Sequence, residues 1–240
     1  MENKNSGSSI FLGVIGVATL VVAIIGATFA YFSASANSTN NAIATSSTTL
    51  NLNLVDNVGT NLKSSLIPAT EAIATYGALS KTYLGTSGKE QCVDDNGNEI
   101  CSIYQFTISN PSTTTSQALS FTMNILTNSF AHLKYKIYEG TSGASGTLDN
   151  DSTAVIDAQT LPTITGTSTE AEKTIALTAL NATYAPEESH TYTIVIWINE
   201  LGEGASGNQT DADAGKAFAA GLNISSGNGS GVTGVISSAG

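Results

Sequence analysis

The chain has 240 residues and a formal net charge of -11, yet only 11% of its residues are charged, so hydroxyls and amides carry most of its interaction with water. All its basic side chains are lysines. Arginine, which forks best onto phosphates and guanine edges, is missing, and this argues against nucleic acid as a partner. No polybasic cluster flanks the apolar run described next, so any membrane contact is hydrophobic rather than electrostatic.

A polar start, Met1 to Ser9, leads into an apolar run from Ile10 to Phe32. At roughly 20 residues the run exceeds an ordinary signal-peptide core and is long enough to span a bilayer. Signal peptidases need small residues at the third and first positions before the cut. Thr28-Phe29-Ala30 and Ala34-Ser35-Ala36 both satisfy this, releasing Tyr31 or Asn37. An uncleaved anchor is the alternative, and a prepilin-like cut near Ser6-Gly7 that retains the helix is a third, although the Glu usual just inside such helices is missing. Residues 1–30 are thus a signal peptide or membrane anchor, 31–49 an arm or linker, and 50–240 the folded body.

The body reads as all-β. Leu50, Leu52 and Leu54 alternate with Asn51 and Asn53, the period-two signature of a half-buried strand. Similar runs follow at Ile103 to Ile108, Leu119 to Ile125, Leu133 to Ile137, Thr174 to Leu177, Tyr192 to Ile198 and Phe218 to Ile224. Alternation predicts antiparallel sheets with one face in the core and one in water. Turn signals such as Asn110-Pro111, Gly140-Thr141-Ser142-Gly143, Asn150-Asp151 and Gly202-Glu203-Gly204 separate the runs. The expected fold is a jelly-roll-like or antiparallel β-sandwich behind an N-terminal hydrophobic helix. Residues 68–80 and 211–221 are rich enough in Ala for a turn or two of helix. Pro68 and Pro186 each precede a strand-like run, as expected for a residue that cannot donate to a ladder.

Between Cys92 and Cys101 lies Asn96-Gly97, the strongest two-residue hairpin signal. Centring the turn there pairs Asp95 with Asn98, Asp94 with Glu99, Val93 with Ile100 and Cys92 with Cys101. Cysteines facing each other at a non-hydrogen-bonded site lie ~4.5 Å apart between Cα atoms, within disulfide reach, and an exported chain meets an oxidising compartment. A disulfide is therefore expected. The acidic loop Asp94 to Glu99 offers hard oxygen ligands, but Gly97 and Gln105 miss the spacing of an EF-hand, so it reads as a solvated turn and no cofactor or metal is expected.

No catalytic constellation stands out. His132 and His190, the two histidines, belong to no His-Glu-x-x-His arrangement, and both read as exposed strand positions. No Gly-x-Ser-x-Gly elbow accompanies them. Gly85 to Lys89 lacks the spacing of a phosphate loop, and Leu161-Pro162-Thr163-Ile164-Thr165-Gly166 carries one residue too many for a sortase signal and has no apolar stretch or basic tail after it.

Gly26-Ala27-Thr28-Phe29-Ala30-Tyr31-Phe32, followed by Ala42-Ile43-Ala44-Thr45 and Thr49-Leu50-Asn51-Leu52-Asn53-Leu54, resembles the start of the TasA/camelysin family of bacterial biofilm-fibre and cell-surface proteins. The resemblance covers the first quarter of the chain and departs from the family at Ser46, Ser47 and Asn51. It implies cleavage between Ala30 and Tyr31 by a dedicated signal peptidase, a jelly-roll-like sandwich, and fibres in which an N-terminal segment completes the next subunit's sheet. Tyr31, Ile43 and Ala44 would set the register of such a donated strand. The leading expectation is a non-enzymatic, secreted structural homopolymer of the cell surface or matrix. A membrane-tethered binding module or adhesin, including a pilin-like subunit, is the second, and a secreted hydrolase the third.

Overall fold

A computed structural model describes residues 66–80, 91–200, 216–227 and 231–237, together with the backbone of 53–56. All belong to one unit spanning Ala42–Gly240. The apolar leader, the Ala30/Tyr31 cut, the arm with Tyr31, Ile43 and Ala44, the Leu50 and Leu52 positions, the Gly85 to Lys89 loop and the Gly202 to Gly204 turn lie outside the described residues.

Strands β1 (Asn53–Asp56), β2 (Ser102–Ser109), β8 (Ser189–Ile198), β4 (Leu133–Glu139) and β5 (Ile156–Thr160) form one antiparallel sheet in that spatial order. The second sheet runs β10 (Gly231–Ser237), β9 (Phe218–Ser226), β3 (Gln117–Asn128) and β6 (Thr174–Ala176), with β7 (Ala182–Tyr184) also pairing to β3. Neighbouring strands are mostly non-consecutive in sequence, so the chain crosses repeatedly between the two layers. Phe106, Ile108, Phe121, Met123, Ile125, Ile137, Ile194, Leu222 and Ile224 fill the space between them. The all-β sandwich expected from the alternation is therefore present.

β3 shows how closely pattern follows burial. Leu119, Phe121, Met123 and Ile125 are buried, while Ala118 and Ser120 face out. A bulge between Ile125 and Thr127 then inserts Leu126 as an outward residue, 56% exposed, and returns Asn128 to the interior.

Sheet one departs from the expected single wet face. In β2 the first five residues, Ser102 to Phe106, are all buried, as is Tyr192 to Ile198 in β8. The reason is a second core on the outer face, where helix α1 (Glu71–Leu79) and the cysteine hairpin cover Ile103, Tyr138, Val195 and Trp197 with Ala74, Ala78, Leu79 and Ile100. Helix α1 starts at Thr70, whose side chain accepts from Ile73 N, the usual N-cap solution for an orphan N–H. Its last carbonyls are taken by Ser80 N, Cys92 N and Gln91 Nε2, so the hairpin closes the helix end. Gly77 permits the close approach, since a Cβ there would meet Ile100 Cδ1 at 2.9 Å. Lys136 on β4 ties the assembly down, with Nζ 2.8 Å from Glu71 and 2.9 Å from Asp157 of β5.

Four local expectations change. Pro68 leads into α1 rather than a strand, because the Ala-rich segment after Thr70 buries a helical face; only Ala69 makes an isolated bridge, to Asn199. Helix does not extend through 218–221, where Phe218 begins β9 and is buried between the sheets. Strands β5, β7 and β10 were not foreseen: β5 and β7 are short and held at sheet edges, and β10 has a glycine, Gly234, in place of an apolar side chain at the middle of its inward face. The hairpin register also differs by one, Val93 pairing with Glu99. Gly97 adopts φ 86° while Asn96 does not have positive φ, giving an Asp95 to Gly97 loop with Gly at its left-handed position instead of a two-residue turn. Cys92 takes up the offset with φ 60°, and its disulfide to Cys101 forms with Cα atoms 4.8 Å apart. Closing so short a loop stabilises by roughly 2–3 kcal/mol on the chain-entropy account.

Candidate functional site

Three features concentrate polar or unpaired groups, and each originates in a different part of the fold. The first is the hairpin loop. Asp94 Oδ1 accepts from Asn96 N at 2.9 Å and Asn98 N at 2.8 Å, while Oδ2 accepts from Asn98 Nδ2 at 3.0 Å. The Asn98 side-chain bond, helped by these backbone donors, holds the Asp94 carboxyl below its ordinary pKa. Its oxygens are thus committed to shaping the turn. Among the described residues no group of three or more His, Cys, Asp or Glu side chains is placed to hold a metal ion.

The second is a charged cluster at the start of β8. His190 Nδ1 lies 2.5 Å from Glu139 Oε1 at the end of β4, and Nε2 lies 2.8 Å from Glu188 Oε1 in the preceding turn. Its ring packs edge-on against Tyr184, centroids 4.8 Å apart, and stacks at 6.4 Å over Tyr192. The two phenol oxygens are 3.1 Å apart, and burial raises the pKa of both. Burial of His190 opposes its charge, but the paired carboxylates outweigh this and raise its pKa. Each ring nitrogen faces a carboxylate, an arrangement that favours the doubly protonated ring, in which neither nitrogen keeps a lone pair for general-base work. His190 is accordingly a half-buried electrostatic clamp, not the exposed strand residue that position alone suggested. His132 stands apart from this cluster, just before β4.

A pH dependence follows. Because the folded pKa of His190 lies above its ordinary value, the clamp contributes its full stability below about pH 6.5. That contribution is lost as pH rises through the folded value. Urea midpoints of the wild type should fall relative to those of His190→Gln across this window. Parallel pH profiles for the two proteins would refute the assignment.

The third feature is the set of sheet edges. Sheet one ends in β1 and β5, and β5 carries the ion-paired Asp157. Sheet two ends in β10 on one side and in the short β6 and β7 on the other. β10 is seven residues long, with neither charge nor Pro, and among the described residues no strand pairs with its outer side. Natural edges are usually blunted by Lys, Pro or bulges.

The Leu161 to Gly166 segment is structural. Leu161 is 1% exposed, Asn128 Nδ2 donates to Pro162 O at 2.9 Å, and Thr163 Oγ1 donates to Phe130 O, so this run is stitched into the β3–β4 corner.

Fold and features together define a disulfide-stapled, two-sheet antiparallel sandwich whose described polar clusters serve to hold its loops. The chain matches no protein-family model, and no curated protein or solved structure matches it.

Proposed function

We propose that this chain is an exported structural protein of the cell surface or extracellular matrix, whose copies assemble into fibres by N-terminal strand donation. The observation that carries the reading is the pairing of a doubly cored, disulfide-stapled sandwich with sheet edges that no described strand covers. Such an edge offers a row of main-chain donors and acceptors to an incoming strand. The commitment of Asp94 and His190 to local ion pairs and turns supports a non-enzymatic role. The alternation of the chain between layers fits a jelly-roll-like winding.

In this reading the leader is cut between Ala30 and Tyr31. The arm 31–49 is polar and free of Gly and has few apolar side chains to bury within its own body, so docking there gains little against the entropy of ordering. It adds instead to a neighbour's sheet, with Tyr31, Ile43 and Ala44 setting register. The contact is head-to-tail and does not close, which yields filaments. To test this, residues 31–240 and 50–240 are compared by electron microscopy and sedimentation. Filaments from the longer chain alone are expected. Monomers from both, across pH and concentration, would sink strand donation in favour of a membrane-tethered binding module.

A further inference from the structure

We infer that the outer edge of β10 is a two-fold self-pairing surface that joins two copies of this chain edge to edge. The argument begins with the sequence of the strand, Gly231-Val232-Thr233-Gly234-Val235-Ile236-Ser237. Its pattern of β-branched residues is symmetric about Gly234. An antiparallel pairing centred there sets Val232 opposite Ile236 of the second copy, Thr233 opposite Val235, and Gly231 opposite Ser237.

Register decides whether such a pairing makes physical sense, because a one-residue slip sends every side chain to the wrong face. In the fold Val232 and Ile236 point into the core, 3% and 0% exposed, while Thr233 and Val235 face out. The two-fold pairing therefore puts inward residues opposite inward ones and outward opposite outward. Sheet two would thus continue from one copy into the other with its inward and outward faces in register.

Charge permits the approach as well. The protein carries -11 overall, which disfavours contact between most of its surfaces. Strands β10, β9 and β3 contain no charged residue, so they add no charge of their own to repel a second copy. β5, the outer strand of the other sheet, instead presents Asp157. Half-exposed Val235 gains a β-branched cross-strand neighbour in Thr233 of the second copy.

The inference goes beyond strand donation. A two-fold contact closes on itself, whereas the arm contact propagates, so the two together would pair filaments side by side. Each can fail without the other.

The native cysteines are both in the disulfide, and no other cysteine is present. Thr233→Cys and Val235→Cys therefore each add the sole thiol of the chain. The full chain, purified in mild detergent, is oxidised as each variant alone and as an equal mixture. The two-fold register brings position 233 of one copy opposite position 235 of the other. Identical positions fall about 8 Å apart or more, past ordinary disulfide reach. The mixture should give at least about tenfold more disulfide-linked dimer than either variant alone. Adding Val235→Lys to the Thr233→Cys partner and Thr233→Lys to the Val235→Cys partner, both at outward positions, sets lysine opposite lysine in the same register and should abolish that cross-link. Equal dimer yields in all three samples would overturn the pairing. So would loss of filaments in Val235→Lys with no 233-to-235 cross-link, which would make β10 the acceptor of the arm.

Discussion

Replacing Asn110 with Ala should destabilise the fold by about 3–5 kcal/mol, among the largest effects of any single polar truncation here. Asn110 is fully buried and its amide group is engaged on both sides. Nδ2 donates to Thr115 O at 2.8 Å, Ala185 O at 2.9 Å and Tyr184 O at 3.2 Å. Oδ1 accepts from Ser112 N at 3.1 Å and Gln117 Nε2 at 2.8 Å. These bonds tie the β2–β3 connection to the turn before β8, so one side chain closes an end of the sandwich. Truncation leaves Gln117 with a buried donor unpaired, beside an Oε1 that has no partner among the described residues, and such groups cost about 1–3 kcal/mol each. Asn110→Asp should be worse, since a carboxylate would face three carbonyl oxygens. Urea unfolding checks both, and a loss under about 1 kcal/mol for the Ala variant would show that the network is dispensable.

Trp197 yields the second large effect and a sharper contrast. It is 0% exposed in the outer core beneath α1, so Trp197→Ala should cost about 3–5 kcal/mol through the cavity it leaves. Its Nε1 finds no hydrogen-bond partner among the described residues, an arrangement that by itself carries a penalty of about 1–3 kcal/mol. Trp197→Phe removes that N–H along with part of the ring, and the two changes offset. The Phe variant should therefore lie within about 1 kcal/mol of wild type. Equal destabilisation by Ala and Phe, read from thermal and urea unfolding, would mean that indole shape alone decides the site.

Much of the architecture was legible in the chain itself. Period-two alternation located β2, β3, β4, β8 and β9, because a strand with one face in a core must alternate. The cysteine spacing around Asn96-Gly97 was sufficient to predict the disulfide even though the turn was misassigned, since either loop brings residues 92 and 101 into reach. The turn type itself depended on Asp94, whose carboxylate captures the Asn96 and Asn98 amides and so favours the longer loop.

The tertiary structure decided what lies far apart in sequence. That β2 and β8 are buried on both faces follows from α1 docking onto sheet one, and an alternating pattern contains no record of a cover arriving from elsewhere. The His190 clamp joins Glu139, Glu188 and two tyrosines, with Glu139 lying 51 positions away from the histidine. None of these has a distinctive local spacing. Asn110 likewise read as half of an Asn-Pro turn signal, while its role as a hub depends on Tyr184 and Ala185 brought close by β7. The short edge strands show the same limit from the other side: β5 and β7 have too few apolar residues to declare themselves and become strands because β4 and β3 present open ladders to them. Local chemistry determined the strands and the staple, and long-range packing determined which polar side chains would be buried and held.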